Sequence, residues 1–540
     1  MSTSNNQNLN SLDLNPQFLH AFELLDKSSA NVFLTGKAGT GKSTFLEYFR
    51  EHTKKKIVVL APTGVAALNV KGQTIHSFFN FKPDTTLESI ETIRLSKNKR
   101  EILEKVDTIV IDEISMVRAD LLDCVDASLR LHGGNEKLPF GGVQMVFIGD
   151  LFQLPPVVRP NERSIFETVY QSPYFFDAKA FKDFPMEFIE LYKNYRQKDE
   201  IFVGLLNAIR TNSIKEEQLN ILNTRFVSNF QEDPTRFYIY LTTTNDLAHQ
   251  LNYEKLHAIS DELFTFEADH SGNFEEKNFP TQEELELKVG AQVMLLNNDQ
   301  AKRWVNGSIG KVVAVEEARG METNIRVELT DGARVDVTPY SWEIFNFFFN
   351  EDTQKIDSEI VGSFRQYPLK LAWAVTIHKS QGKTFDQVMI DLGRGSFSHG
   401  QTYVALSRCR SLEGIFLKRP IARRDILMDR RIPEFLIEYQ YKIAGQKFPL
   451  EKKRALIAQA IEERRPLDIV YLKEKGEKNL RTILPKDFRT VEVNGQKCLG
   501  VEAFCVQRKQ DWIFKMDCIV DIQNTVLEIT HSNQEMMDKV

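Results

Sequence analysis

Along the first 185 or so residues, apolar positions gather in short unbroken runs separated by stretches of helical periodicity. Val32-Phe33-Leu34, Ile57-Val58-Val59-Leu60, Thr108-Ile109-Val110-Ile111 and Met145-Val146-Phe147-Ile148 are each bounded by polar or glycine signals. Unbroken β-branched runs suit parallel strands covered on both faces, because alternation is needed only where one face meets water. Strands that alternate with helical segments predict a doubly wound α/β lobe over 14–190. A second α/β lobe, over 191–257 and 366–442, carries Phe237-Tyr238-Ile239-Tyr240-Leu241 and Val388-Met389-Ile390-Asp391-Leu392 as strands.

Between the halves of that second lobe, over 258–365, the texture changes. Alternating patterns are punctuated by Asn306-Gly307, Arg319-Gly320 and Asp331-Gly332, which predicts an inserted antiparallel β domain. The aromatic run Phe345, Phe347, Phe348 and Phe349 at its far end reads as a strand packed into a core. Gly445, Pro449 and mixed charge make 443–453 read as a linker. A helix over 455–463 and strand-like runs ending near Ile522 then predict a small separate domain over 454–530.

Composition narrows the class. With 42% apolar and 27% charged residues over 540 positions, the chain has the make-up of a soluble globular protein. It contains no apolar run long enough to span a bilayer. Residues 1–13 are expected to form a disordered tail, and the Ser/Asn-rich start lacks the basic and apolar parts of a signal peptide. Five cysteines without a C-x-x-C pair point to reduced thiols in the cytoplasm and away from a disulfide framework or a zinc site. A net charge of −6 gives no global basic footprint, so any nucleic-acid surface must be local. Arg94, Lys97, Lys99 and Arg100 form one candidate cluster. Lys418, Arg419, Arg423, Arg424, Arg430 and Arg431 form another. A solvated helix face is the competing reading of each.

The chemistry is concentrated at strand ends. Gly36-Lys37-Ala38-Gly39-Thr40-Gly41-Lys42-Ser43 fits the phosphate-loop pattern, with a strand before it and a helix after it beginning Thr44-Phe45. Its glycines let the backbone wrap a phosphate, and the helix start offers unpaired N–H groups. Lys42 would reach the β- and γ-phosphates of ATP and Ser43 would ligate Mg²⁺. The strand Ile109-Val110-Ile111 delivers Asp112 to the Mg²⁺ through water and Glu113 to the attacking water. Gln153, held between apolar neighbours and Pro155-Pro156, suits a sensor of the γ-phosphate. Arg196 and Arg408 are candidates for stabilising transition-state charge from a second lobe, although each is equally readable as a surface arginine. Thr376-Ile377-His378-Lys379-Ser380-Gln381-Gly382 presents short donors suited to a phosphate backbone. Thr63-Gly64 and Thr74-Ile75-His76-Ser77-Phe78-Phe79 present a similar set in the first lobe.

The stretches GKAGTGKST, APTGVAAL, GQTIHSFF, VIDEISMV, GGVQMVFIGDLFQLPPV, NYRQ, AVTIHKSQG and YVALSR lie in this order over about residues 31–410. In these motifs the chain resembles the petite integration frequency (Pif) family of superfamily-one, group-B DNA helicases. The resemblance implies two RecA-like lobes with ATP between them, a small wedge near 64–85, and a Src-homology-three-like barrel in the second lobe. It implies 5′→3′ movement on single-stranded DNA by a monomer, with single-to-double-strand junctions and structured DNA such as G-quadruplexes as partners. It assigns Gly36, Gly39, Thr40, Gly41, Lys42, Ser43, Thr44, Asp112, Glu113, Gln153, Arg196 and Arg408 to the ATP site. Gln17 stands for the family's adenine-reading glutamine, slightly off its usual spacing. The implied DNA contacts are Thr63, Gly64, His76, Phe78, Thr376, His378, Lys379 and Ser380. The C-terminal domain resembles the WYL fold through Ile469-Val470-Tyr471, Arg481, Pro485 and 499–505. An accessory DNA-binding or regulatory module, a protein-interaction module and a structural remnant are its open readings. For the whole chain, the reading from a different class is a DNA-stimulated ATPase switch that does not part strands.

Overall fold

The computed structural model describes residues 15–524, apart from 83–84, 159–161, 183, 198, 234–235, 273, 275, 277–278, 300, 317–321, 351–354, 473–477 and 494–495. The expected tail and the Arg319-Gly320 turn lie outside the described residues, as do the side chains of Phe345, Phe347, Phe348 and Phe349. The chain divides into two compact units, Met1–Met428 and Asp429–Val540.

In the first unit the apolar runs form a six-stranded parallel sheet. Its strands are β1 (Val32–Gly36), β2 (Ile57–Ala61), β3 (Gln73–Thr74), β4 (Thr108–Ile111), β5 (Gln144–Gly149) and β6 (Glu187–Leu191), in the spatial order β3-β2-β4-β5-β1-β6. β1, β4 and β5 are buried at every position, as their unbroken apolar character requires. Helices α1 (Pro16–Lys27) and α2 (Lys42–His52) cover one face, burying Phe18, Leu25, Phe45 and Phe49 against Val32, Leu34 and Val146. The segment near 64–85 contains two short helices, Gly64–Asn69 and Ile75–Phe79. They flank β3, which pairs with β2 and so extends the main sheet.

The second lobe has four parallel strands in the order Ala374–Thr376, Ile239–Thr242, Val388–Asp391 and Ile415–Leu417. The inserted domain is antiparallel, as its alternating texture predicts. Five strands lie in the order Arg334–Val337, Asn324–Leu329, Ile309–Glu316, Gln292–Leu295 and Leu369–Leu371. The insert therefore runs on to Leu371, beyond the expected boundary at 365, because Leu369–Leu371 completes its sheet. A long hairpin, Tyr340–Asn350 with Lys355–Gln366, pairs with Asp269–Gly272.

The expected linker at 443–453 is mostly helical. Helix Arg431–Lys447 runs into it and helix Leu450–Glu462 starts within it, with only Phe448 and Pro449 between them. Proline is tolerated there because it precedes the first helical turn, where no intrahelical N–H bond is lost. The second unit adds a five-stranded antiparallel sheet in the order Gln510–Lys515, Gln496–Cys505, Lys478–Val493, Leu467–Leu472 and Ile519–Asn524. Its core gathers Ile457, Leu467, Ile469, Ile483, Val501, Phe514 and Met516. No described helix is long and apolar enough to cross a membrane, and all five cysteines are free thiols.

Candidate active site

The phosphate loop lies where β1 ends and α2 begins. Gly41 caps α2 in the left-handed region (φ 89°) and supplies no side-chain hydrogen bond, so the first-turn N–H groups are left to a ligand. Gly39 also has positive φ (84°), and a Cβ there would stand 2.6 Å from Arg196 Cβ and 2.9 Å from Asn194 Oδ1. At Gly36 a Cβ would meet Thr40 Oγ1 at 2.5 Å. The loop thus tolerates only glycine where other backbone closes on it. Thr40 is buried, donating from its hydroxyl to Lys37 O at 2.9 Å, while Ser43 and Thr44 are exposed on the first turn. Gln17 lies in the first turn of α1, its Oε1 accepting from Tyr192 N–H at 3.3 Å. The neighbouring Phe18 ring reaches within 3.3 Å of where a Gly41 Cβ would be, so Gln17 is carried close to the loop.

The second lobe holds the loop from the other side. Tyr403 Oη accepts from Ala38 N–H at 3.1 Å, and Gly39 O accepts from Tyr195 N–H at 2.8 Å. A Cβ at Gly400 would lie 2.2 Å from Gln153 O, so the lobes meet backbone to backbone beside the site.

The cations of the site are held by dipoles. Lys42 Nζ donates to Gly36 O at 2.7 Å and to Lys37 O at 3.2 Å. Arg196 donates to Ser407 O at 3.1 Å and to Gly382 O at 3.5 Å. Arg408 is fully buried and donates to Val404 O at 2.9 Å, Lys383 O at 3.3 Å and Ser407 Oγ at 2.8 Å. Among the described residues none of the three is in ion-pair contact with a carboxylate. Burial pushes the Arg408 guanidinium down to about 9, and the nearby Arg196 adds to the shift. Burial likewise lowers Lys42, against the pull of Asp150 and Glu113. Three converging, desolvated positive charges are costly unless a multiply charged anion enters among them.

The acids lie opposite. Asp112 and Glu113 follow β4 directly, and Glu113 takes left-handed backbone angles (φ 50°, ψ 42°), which a non-glycine residue adopts only at a cost. Burial, with Glu113 alongside, pushes the Asp112 carboxyl up to about 7. Burial also raises Glu113, while Lys42, Arg408 and a hydrogen bond from Gln381 oppose the rise. Gln153 is buried and donates to Asp150 Oδ2 at 3.3 Å. Asp150 is in turn locked to Arg210 at 3.0 Å in a buried pair. No group of three or more metal-ligating side chains occurs among the described residues. A divalent ion fits here through the exposed Ser43 hydroxyl, water on Asp112 and the anion's own oxygens, the arrangement Mg²⁺ favours.

The proposed strand contacts divide. Thr63 is exposed and caps helix Gly64–Asn69 through Ala66 N–H at 3.2 Å, with Gly64 half-buried next to it. His76 and His378 are half-buried and Lys379 is exposed. Phe78 is buried at 3% exposure and packs edge-on against Phe79 at 4.9 Å. Neither ring has an open face for a base, because both are buried. Ser380 is wholly buried and donates to Ile377 O at 2.7 Å, which commits its hydroxyl to closing the loop. Thr376 is also buried, its Oγ1 accepting from Lys379 N–H at 3.3 Å. Phe78 and Ser380 thus leave the set of direct contacts. The basic clusters also divide. Lys99 holds Ser77 O at 2.8 Å, while Lys418 pairs with Asp391 and Arg419 with Asp425, each at 2.7 Å. Arg423 donates to Ile214 O at 2.6 Å, so the later cluster largely braces the fold.

Comparison with known proteins places this geometry. The profile of the PIF1-like helicase family matches residues 18–219, and that of the DNA helicase Pif1 2B domain matches 273–315. The ATP-dependent DNA helicase Pif1 of Bdellovibrio bacteriovorus is 34% identical over 445 residues, covering 79% of this chain and 93% of its own length. The crystal structure of Bacteroides Pif1 with ADP-AlF4 superposes with a TM-score of 0.71 at 38% identity, covering 80% of this chain and 97% of that one. Bacteroides Pif1 bound to single-stranded DNA gives 0.58 at the same 38% identity, covering 80% and 98%.

Proposed function

The chain belongs to the PIF1-like helicase family, and on that premise we infer that it is an ATP-dependent DNA helicase moving 5′→3′ on single-stranded DNA. The observation that carries this reading is that Lys42, Arg196 and Arg408, beside one uncapped helix start, are held by carbonyl oxygens and, among the described residues, by no carboxylate ion pair. Lys42 and the loop N–H groups bind the triphosphate, and Gln17 takes the adenine edge. Glu113 accepts the proton of the attacking water. Gln153 registers the γ-phosphate, and Arg196 and Arg408 neutralise the charge that develops on it. Ser43 and, through water, Asp112 would hold Mg²⁺, which would supply further charge neutralisation.

Arg408 and Lys379 belong to one lobe, and Lys42 and Thr63 to the other. Gripping the γ-phosphate therefore moves DNA-contacting loops relative to each other. Thr63, Gly64 and His76 hold the strand on the first lobe, and His378 and Lys379 hold it on the second. Alternating grip advances the protein, and the segment near 64–85 splits the duplex ahead of it. The insert acts as a Src-homology-three-like barrel that guides the strand. The domain over 454–530 is a WYL-like accessory module, a reading supported by its sequence motifs and its five-stranded sheet. ATP turnover with and without oligo(dT) tests the motor: stimulation at least tenfold in the wild type, and none in Lys42→Ala, is the expected outcome.

A further inference from the structure

Helix Gln401–Leu406 is short, and all six of its residues are buried. Both arginines of the site are fastened to it or to the residues just after it. Arg196 donates to Ser407 O at 3.1 Å, and Arg408 donates back to Val404 O at 2.9 Å. Gln197 adds bonds to Ser407 O at 3.2 Å and to Cys409 O at 3.0 Å. The same helix carries Tyr403, which is 3% exposed. Helix and arginines therefore form one rigid fixture, and the Tyr403 side chain joins that fixture to the phosphate loop.

Two features set the Tyr403 hydroxyl apart. Its oxygen accepts from Ala38 N–H at 3.1 Å. Backbone N–H groups of such a loop serve phosphate, so the hydroxyl stands beside the anion site. In addition, none of the described residues accepts the hydroxyl's own proton. Asp150, the carboxylate close to it, is already taken by Arg210 at 3.0 Å, Phe152 N–H at 3.2 Å and Gln153 at 3.3 Å. Burial pushes the phenol up to about 12, with Asp150 adding to the rise, so the proton stays on the oxygen at any working pH. Arg196, Arg210 and Arg408 all lie within its electrostatic reach. A buried donor without an acceptor, set among guanidinium groups, is an incomplete site that an anion's oxygen would complete.

We propose that Tyr403 is a further substrate-binding residue: while Ala38 N–H holds its oxygen, its hydroxyl donates to an oxygen of the terminal phosphate of ATP. The bond links the second lobe to the loop through the phosphate itself. It forms only when a third phosphate is present, so it separates the triphosphate from the diphosphate. A fixed neutral donor also suits the charge carried by those oxygens during transfer. The inference rests on the motor reading, because it takes the bound anion to be ATP.

The test compares full-length wild type with Tyr403→Phe, which removes one oxygen and keeps the ring. Circular dichroism and thermal melting check folding. Affinity is measured for ADP and for ADP with aluminium fluoride, a mimic of the transferred phosphate, beside kcat and KM for ATP with oligo(dT). Tyr403→Phe should lower kcat by about 10²-fold and weaken the fluoride complex to a similar extent. Affinity for ADP, and KM, should stay within about threefold. A ring that only packs would give equal losses for both ligands, or none, and either result would overturn the inference. Should Tyr403→Phe misfold, 3-fluorotyrosine placed at position 403 keeps the hydroxyl and reports its surroundings through the fluorine resonance. That signal should shift with ADP and aluminium fluoride but not with ADP alone. A signal that responds alike to both, or to neither, overturns the inference. A wild type that hydrolyses no ATP would overturn the motor reading with it.

Discussion

Gln381 donates from Nε2 to Glu113 Oε2 at 2.9 Å, although the two residues are 268 positions apart. The glutamine belongs to the loop that carries His378 and Lys379, and the glutamate to the end of β4. One hydrogen bond therefore joins the loop proposed to contact the strand to the group proposed to take the proton from water. The side-chain oxygen of Gln381, Oε1, is buried with no hydrogen-bond partner among the described residues, so the amide is held by its bond to Glu113. Hydrogen bonds to a charged group contribute about 1.5–3 kcal/mol, enough to control when Glu113 is free to act. Gln381→Ala should reduce the ratio of DNA-stimulated to basal ATP turnover by about tenfold or more. Steady-state turnover with and without oligo(dT) reads this directly, and an unchanged ratio would show that the bond does not couple the sites.

In the proposed mechanism Arg196 and Arg408 act on charge that develops only during reaction. Arg196→Ala or Arg408→Ala should lower kcat by about 10³-fold or more while leaving nucleotide affinity within about tenfold. Fluorescent-nucleotide binding beside turnover separates the two effects. An affinity loss equal to the loss in kcat would instead make the arginines ground-state binders.

Asp112 gives a pH dependence with a defined sign. Its carboxyl is pushed up to about 7, so below that pH it is largely protonated and neutral. A protonated carboxyl does not hold Mg²⁺ through water. The Mg²⁺ concentration for half-maximal turnover should therefore rise about tenfold per unit as pH falls below 7, and level off above it. A requirement that stays flat from acid to neutral pH would remove Asp112 from the metal site.

Asp150 and Arg210 are buried together, and the Arg210 guanidinium lies 4.0 Å from the Phe152 ring centre. Arg210→Ala strands a buried carboxylate and should destabilise the first unit by about 3–5 kcal/mol. Urea unfolding measures it, and a loss below about 1 kcal/mol would mean that Asp150 finds water or another donor.

Much of this was legible in the chain. The phosphate loop, the acids after Ile111 and the parallel core follow from local pattern, because glycine spacing and unbroken apolar runs leave few alternatives. The inserted β domain was legible from alternation and turn residues. What local pattern does not contain is pairing across the lobes. Gln381 looked like one more donor in a polar loop, and its partner Glu113 is reached only through the fold. Arg210 carried no motif at all. Phe78 is a strand contact by resemblance because aromatic residues beside Thr and His serve either core or ligand, and in the fold its ring is buried. Ser380 read as a donor to phosphate, but a short loop needs its hydroxyl to satisfy Ile377 O. The 443–453 stretch read as a linker from glycine and proline, whereas Pro449 in fact precedes a helix start and Gly445 is carried inside a helix.

The central claim is that ATP turnover at this site drives strand separation. Its most direct measurement is strand release from duplexes bearing a 5′ tail, a 3′ tail or no tail, with ATP and Mg²⁺ present and Lys42→Ala as the control. The expected result is release from the 5′-tailed duplex alone, abolished in Lys42→Ala. ATP hydrolysis stimulated by DNA without release from the 5′ tail would contradict the helicase reading, and release from only the 3′ tail would contradict its direction.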